Sequence, residues 1–442
     1  MERACAIVVG ARCAGSAAAI SLAQAGKRVI VLDRARFPSD TLSTHLMFAG
    51  GVVELKRLGA LDRVLALGAP KLPEALSAWN GYETRATYTP IDGIDYGMCV
   101  KRTGLDAALV GTAREAGAEV RERCAVSGLI WDEKRVAGVR YRDHEGEERE
   151  IRAPLVIGAD GRNSTVAREV GTETPRLQSA NGRGSYFAYW KDAKPEWRST
   201  AAQWRQGAEL VTAFPCDDGQ MLVMAMPPLS RAADFEGDLQ GEYERTVRAV
   251  PELADRLDGA SLESKVRHTV STPSYFRRSS GPGWVLVGDA GHFKDPVTAQ
   301  GIRDALRYAR LLGEMAAPLL DYPRRTDRML RLWERVRDRD CMETYQWTNR
   351  LSRGEAVSPI EAEVYRAGAT DPELANRLLD VFARTIRLND AIGYGQAASL
   401  VRSAIRREGA SKREAWRAAR REVRDGVAEG WERRRYRVVV GR

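Results

Sequence analysis

Residues 284–301, WVLVGDAGHFKDPVTAQG, place an acidic side chain and a helix start where one ligand would meet both. The apolar run Trp284–Val287 reads as a buried strand that ends in Gly288-Asp289. A loop with Pro296 then leads to Gly301 and a helical spacing of Ile302, Ala305, Leu306 and Ala309. Asp289 can accept hydrogen bonds from hydroxyls. The free N–H groups from Thr298 to Gly301 can face negative charge. This chemistry suits a ligand with a polyol and an electron-poor ring.

Two other segments agree. Ala6–Val9 reads as a strand, Gly10-Ala11-Arg12-Cys13-Ala14-Gly15 as a tight turn, and Ser16–Ala25 as a small-residue helix. A second strand, Val29–Leu32, ends at Asp33. This is the βαβ layout that binds a dinucleotide: pyrophosphate on the helix N-terminus, acid on a ribose. Arg12 replaces the middle glycine and is expected to meet the phosphates or ribose through its guanidinium. The third segment, Leu155–Ser164, is again a strand running into Gly158-Ala159-Asp160-Gly161 and a short helix over 165–169.

The set Gly10–Gly15, Asp160-Gly161 and Gly288-Asp289, in that order, resembles the FAD-dependent monooxygenases of the para-hydroxybenzoate hydroxylase type. That superfamily also holds geranylgeranyl reductases and flavin-dependent halogenases. The resemblance covers roughly residues 1–330. It implies an α/β fold in which a Rossmann-like FAD-binding domain is interleaved with a smaller mixed or antiparallel-sheet substrate domain, plus C-terminal helices. It also implies FAD as cofactor, NAD(P)H as co-substrate and O2 as oxidant. The reaction would pass through a flavin C4a-hydroperoxide to oxygenate a small aromatic or heteroaromatic molecule. With one dinucleotide fingerprint, the nicotinamide would bind transiently, or a separate flavin reductase would supply reduced flavin.

By the same resemblance, Gly10, Ala14, Gly15, Asp33 and Arg34 hold the adenosine and pyrophosphate end of FAD, with Thr44 and Val126 beside the cofactor. Arg102, at the start of a helix, meets the phosphates or ribitol, and an exposed arginine there is otherwise disfavoured by the helix dipole. Asp289 binds the ribityl or pyrophosphate end. Pro296 forms a rigid wall beside the flavin ring, and Thr298, Ala299, Gly301 and Ile302 direct N–H groups at it. His45, in a Ser-Thr-His loop, is either an acid–base group or a histidine that binds backbone. Asp160, with Arg162 nearby, is either on the nicotinamide path or a helix cap. Lys294 and Asp295 either pair with each other or set charge near the ring, and His292 reads as structural. Aromatic residues at 79, 82, 186, 187, 189, 190, 204 and 214 supply candidates for an apolar pocket.

Rival readings have their own marks. A halogenase of this superfamily carries Trp-x-Trp-x-Ile-Pro, which Tyr189-Trp190 and Trp197 do not match. Phe214-Pro215 before a polar turn echoes the geranylgeranyl reductases. A non-enzymatic flavin-binding protein would oxidise no NAD(P)H.

The elements that must position these groups divide the 442 residues into interleaved segments. FAD-binding parts are expected at 1–71, 100–175 and 271–359, substrate-domain parts at 72–99 and 176–270, and a helical region at 360–442. One continuous helical pattern spans 51–67. The C-terminal region ends in the basic run Trp431–Tyr436 and reads as a lid, a dimer contact or a solvated helix. Hydrophobic content of 44% supplies a sizeable core. The net charge of +9 comes from arginines mixed with acids along the chain, not from a basic motif, so nucleic acid is not expected as a partner. Six scattered cysteines without a C-x-x-C pair, and four histidines without ligand spacing, predict a reduced, cytoplasmic protein with no structural metal. No apolar run is long enough for a membrane span.

Overall fold

Short runs that are apolar at every position must be buried on both faces, as central parallel strands are. In the computed structural model, which describes residues 2–191, 194–407 and 411–435, Ala6–Val9 and Val29–Leu32 are inner strands of a six-stranded sheet. Its spatial order is Ser280–Gly281, Trp284–Leu286, Val156–Gly158, Ala6–Val9, Val29–Leu32, Glu119–Arg121. All neighbours are parallel except the first pair. From Ala6–Val9 the chain crosses through helix Cys13–Gln24 to one side, whereas Val156–Gly158 and Trp284–Leu286 lie on the other. The sheet therefore has its topological switch at the carboxyl ends of Ala6–Val9 and Val156–Gly158, where open α/β sheets bind ligands.

Two glycines make this switch possible. Gly10 has φ +97°, and a Cβ there would lie 2.5 Å from the Ala159 carbonyl oxygen. A Cβ on Gly15 would lie 1.7 Å from the Gly10 carbonyl oxygen, so helix and turn close only without a side chain.

A second, seven-stranded sheet runs in the order Arg267–Thr269, Ser185–Lys191, Gln220–Met226, Glu209–Pro215, Thr200–Gln206, Glu74–Trp79, Tyr82–Thr87. It is antiparallel except where Thr200–Gln206 pairs parallel with Glu74–Trp79. Alternation sends Tyr186, Ala188 and Trp190 to one face and Phe187 and Tyr189 to the other. On the first face they pack with Phe235, Tyr243, Val247 and Leu253 from helices Ala232–Gly237, Leu239–Arg248 and Pro251–Arg256. On the second face, Phe187, Leu222 and Met224 share an apolar cluster with Val297 from the Pro296 loop. That face turns toward the first sheet. The two parts are also clamped by Lys101, whose Nζ donates to Asp218 at 2.7 Å and whose backbone N–H donates to Asp217 at 2.9 Å.

The helical pattern expected over 51–67 is two helices, Ala49–Arg57 and Leu61–Leu65. Gly59, at φ +73°, breaks it in a conformation that ends helices and that the apolar spacing does not report. Beyond residue 358, Pro359–Thr370 and Pro372–Ala383 are capped by Ser358 and Asp371 and lie against the Tyr82–Thr87 edge strand. Thr87 donates its N–H to Asn376 Oδ1 at 2.9 Å, which occupies part of that edge. Helices Tyr394–Arg406 and Lys412–Arg435 follow. Tyr436, the end of the expected basic run, lies outside the described residues.

Candidate active site

The three motifs meet at the switch. A Cβ on Gly288 would sit 2.8 Å from the Ala14 Cβ, so the Gly-Asp turn rests on the first turn of helix Cys13–Gln24. The Asp160 segment joins them through the Ala159 N–H, which donates to Val9 at 2.7 Å. Helix Gly301–Ala316 closes the group: Gly313 approaches Ser21 so nearly that a Cβ would lie 2.6 Å from it.

Helix Cys13–Gln24 and helix Gly301–Ala316 both begin without a side-chain cap and without an acid before the fourth helical position. Each therefore keeps a set of unpaired N–H groups at the switch, which is the arrangement that holds anions. By contrast, helix Thr165–Glu169 is doubly capped. Asp160 accepts from the Thr165 and Val166 N–H groups at 2.7 and 3.2 Å and from the Ser164 hydroxyl at 2.6 Å, and Ser164 Oγ accepts from Ala167 at 2.9 Å. Of the two readings of Asp160, the geometry gives it the cap; its carboxylate is committed to its own helix. Asp160→Ala is expected to lower stability by about 1 kcal/mol, read as a lower urea midpoint, with flavin content unchanged. Loss of flavin would place Asp160 on the cofactor instead.

Asp289 is different. Its carboxylate accepts no hydrogen bond from any described residue, and only its backbone carbonyl is used, by Tyr275 Oη at 2.6 Å. Burial pushes its pKa up, and the cations Arg162, Arg102 and Lys294 pull it back down. A half-buried carboxylate with vacant lone pairs and cations around it is an acceptor waiting for hydroxyl donors.

Asp33 is buried and already serves the turn, accepting from Ala11 N–H and Ala35 N–H at 2.7 Å each. Two N–H bonds leave a carboxylate with lone pairs for a diol. Arg34 is exposed beside it. Val126 is half-buried on strand Ala125–Asp132, two residues beyond Cys124, whose N–H donates to the Asp33 carbonyl at 2.8 Å.

The expected role of Arg12 changes in the structure. Its Nη1 reaches Asp106 Oδ2 at 2.5 Å and the Ser39 carbonyl at 3.2 Å, and Nη2 reaches Ser39 Oγ and the Asp40 carbonyl at 2.9 and 3.1 Å. Four of its five donors hold the 39–40 loop to helix Arg102–Glu115, which leaves Nε alone for a phosphate. Arg102 shares Asp106, donating through Nε and Nη2 at 2.9–3.2 Å, while its Nη1 donates to no described residue. The sequence shows no carboxylate beside Arg12. Asp106 comes from 94 residues away, and the only local hint is its position four residues after Arg102 on one helix face.

The Pro296 loop also differs from the expectation. The helix begins at Gly301, not near Thr298. Pro296–Thr298 is one 3-10 turn, and Ala299 follows in the left-handed region at φ 51°. Thr298 is buried with its hydroxyl on Thr348 Oγ1 at 2.8 Å, so it serves the loop's backing and not the helix terminus. Gln300 anchors the junction by donating to the Thr298 and Phe382 carbonyls at 3.0 and 2.9 Å. A Cβ on Gly301 would meet nothing within 4 Å, so this first turn, with Ile302 behind it, fronts open space of the kind a planar ring needs.

Lys294 and Asp295 do not pair. Lys294 Nζ lies 2.5 Å from buried Asp304 Oδ2, and Asp295 caps the 3-10 turn at Val297 and takes the Thr272 hydroxyl at 2.9 Å. Ligand atoms of His292, Asp304 and Cys341 lie within 4.8 Å of one another, but the Lys294 ammonium already occupies Asp304. With Arg303 at 2.8 Å on the other oxygen, this is a buried ion network beneath the loop.

His45 is fully buried with φ 61°, and burial lowers its pKa to about 4. Its Nδ1 lies 2.7 Å from the Ser43 carbonyl, which can only accept, so Nδ1 carries the hydrogen. Nε2 is then bare and accepts from the Tyr189 hydroxyl at 2.6 Å. His45 therefore binds backbone through Nδ1 and holds a phenol of the second sheet through Nε2. Tyr189 stands out from the other aromatics only here. It is half-buried in the cluster that also holds Phe187, Val297 and Ala299, which places it across from the Pro296 loop. Thr44, beside His45, is buried.

These features fit FAD residue by residue: two uncapped helix starts for pyrophosphate and ring, Asp33 for a ribose, Asp289 for a polyol and an open face at Gly301. A sequence-family model described as "FAD binding domain" matches residues 3–321. A tryptophan 2-halogenase of Chondromyces crocatus is 28% identical over 316 residues, 69% of this chain and 59% of its own length. A digeranylgeranylglycerophospholipid reductase of Methanosarcina acetivorans is 29% identical over 320 residues, 70% of this chain and 74% of its own. Among solved structures, a flavoprotein/dehydrogenase from Cytophaga hutchinsonii superposes with a TM-score of 0.77 at 19% identity, over 90% of this chain and 99% of that one. The last likeness bears on the fold alone, an α/β flavoprotein architecture with C-terminal helices.

Proposed function

Because the chain belongs to the FAD-binding domain family, we propose that it is an FAD-dependent monooxygenase that draws on NAD(P)H and O2 to oxygenate a small aromatic or heteroaromatic molecule. Bound FAD supplies hydride acceptance and oxygen activation. The remaining tasks fall to the chain's own residues. Asp33 and Asp289 would hold the cofactor's hydroxyls, Arg102 Nη1 and the start of helix Cys13–Gln24 would hold its phosphates, and the N–H groups at the start of helix Gly301–Ala316 would offer hydrogen bonds to its ring. Val297 and Ala299 of the Pro296 loop share one apolar cluster with Phe187, Tyr189 and Met224, which would exclude water beside the ring.

The observation that carries this reading is the Tyr189–His45 pair. A phenol hydroxyl that donates at 2.6 Å to a neutral imidazole is fixed in direction, with its oxygen lone pairs turned out to accept a hydrogen bond from a bound substrate. A hydrogen bond accepted from a phenol or an N–H makes the substrate ring richer in electrons, which favours electrophilic oxygen transfer.

The reductase reading has the Methanosarcina relative in its favour. The halogenase reading has the Chondromyces relative but lacks the Trp-x-Trp-x-Ile-Pro segment. One rapid-mixing experiment tests the choice. The FAD-loaded protein is reduced anaerobically with NADPH, mixed with O2, and followed by absorbance. A transient species distinct from both oxidised and reduced flavin is the expected result. Direct return to oxidised flavin, with candidate phenols present, would transfer the assignment to the reductases.

A further inference from the structure

Helix Lys412–Arg435 has two unlike sides. On one side its acids face the body of the protein. Glu422 and Glu429 engage Arg350 at 2.5 and 2.7 Å, Asp425 engages Arg353 at 2.7 Å, and Ala415 and Ala419 are buried. On the other side lie Trp416, Val423, Val427 and Trp431, exposed by 53, 68, 56 and 63%. At 3.6 residues per turn these four fall within an arc of roughly 80° and form one stripe. Lys412, Arg413, Arg417, Arg420, Arg434 and Arg435 flank or interrupt that stripe, are exposed, and make no ion pair among the described residues. Every charged residue of the outward half is a lysine or an arginine; the acids are all spent inward or at its margin.

A merely solvated helix face has no reason to expose four large apolar side chains in line. A second copy of the chain, docked through this face, would press cations against cations. An anionic lipid surface satisfies both features at once: apolar side chains enter the acyl boundary, tryptophans sit at headgroup depth, and the arginines meet lipid phosphates. We infer that the outward face of helix Lys412–Arg435 docks this protein on an anionic membrane surface, with the helix lying in the plane of the interface. Among the described residues no helix is long and apolar enough to cross the bilayer.

The test uses the full-length, FAD-loaded protein and vesicles of phosphatidylcholine alone or mixed equally with phosphatidylglycerol. The protein is expected to sediment with the mixed vesicles, to remain in solution with phosphatidylcholine alone, and to be released by high salt. The triple variant Arg413→Gln, Arg417→Gln, Arg420→Gln is expected to weaken partitioning roughly a hundredfold. The double variant Trp416→Ser, Trp431→Ser is expected to weaken it at least tenfold. Unchanged flavin absorbance in both variants reports intact folding. No binding to mixed vesicles, equal binding to both vesicle types, or binding indifferent to both variants would overturn the inference. So would self-association in sedimentation velocity that the tryptophan variant abolishes, because it would give the face to a second copy.

Discussion

Asp289→Ala is expected to purify with little or no flavin while keeping its fold. The side chain makes no hydrogen bond among the described residues, so its removal breaks no network there, and the Tyr275 bond to the residue-289 carbonyl survives. What disappears is the charged acceptor for hydroxyls of the ligand. Hydrogen bonds to a charged group contribute about 1.5–3 kcal/mol each, and two of them amount to a hundredfold loss of FAD affinity or more. The measurement is flavin absorbance per protein after purification, followed by titration of the apoprotein with FAD and a circular dichroism comparison with the parent. Asp289→Asn separates charge from geometry. It keeps one acceptor beside Arg102 and Arg162, the cations that offset part of the rise burial gives the Asp289 pKa, and is expected to fall between the two. A variant with full flavin content would remove the Gly-Asp turn from the site.

What the sequence displays of this site is what backbone geometry demands locally. Gly10 and Gly15 are forced by contacts of 2.5 and 1.7 Å to carbonyl oxygens, and Asp33 and Asp289 stand at strand ends because strand ends point into the switch. The missed features depend on tertiary pairing. Arg12 is a plausible phosphate ligand until Asp106, 94 residues on, takes it. Tyr189 is one aromatic among eight until the pleat turns it toward His45, 144 residues earlier, while Trp190 goes to the other face. The helix start slips from Thr298 to Gly301 because Ala299 adopts φ 51°, a conformation that alanine's own preference argues against and that is flanked by the Gln300 bonds to Thr298 within the loop and to Phe382, 82 residues on.

His45 gives the protein a measurable dependence on acid. A histidine in the unfolded chain titrates near 6.5, and His45 in the folded chain at about 4, because burial disfavours its charged form. Between these values the unfolded chain binds a proton that the folded chain refuses. The contribution of His45 is therefore fully present above about pH 6.5 and is lost as the pH falls toward 4. Between about pH 7 and pH 5 the loss is about 2 kcal/mol. His292, lowered to about 3 by burial and by Lys294, adds a change of the same sign. Asp295, raised by burial to about 6, adds one of the opposite sign: its folded form holds a proton below that value, and its share of stability fades as the pH rises through it. The sum of three such groups assigns nothing, so the diagnostic quantity is a difference. His45→Asn keeps the positive φ, which asparagine tolerates, and deletes the titrating ring. Urea unfolding at both pH values is expected to show a pH-dependent loss smaller by about 2 kcal/mol in the variant than in the parent. Tyr189→Phe completes the argument on the catalytic side. It leaves His45 Nε2 without its donor, costs about 1–3 kcal/mol of stability, and is expected to lower kcat by roughly tenfold to a hundredfold while FAD stays bound. If kcat is unchanged in Tyr189→Phe while the His45→Asn pH difference appears as stated, the pair is a structural strut between the two sheets, and Tyr189 does not act on the substrate.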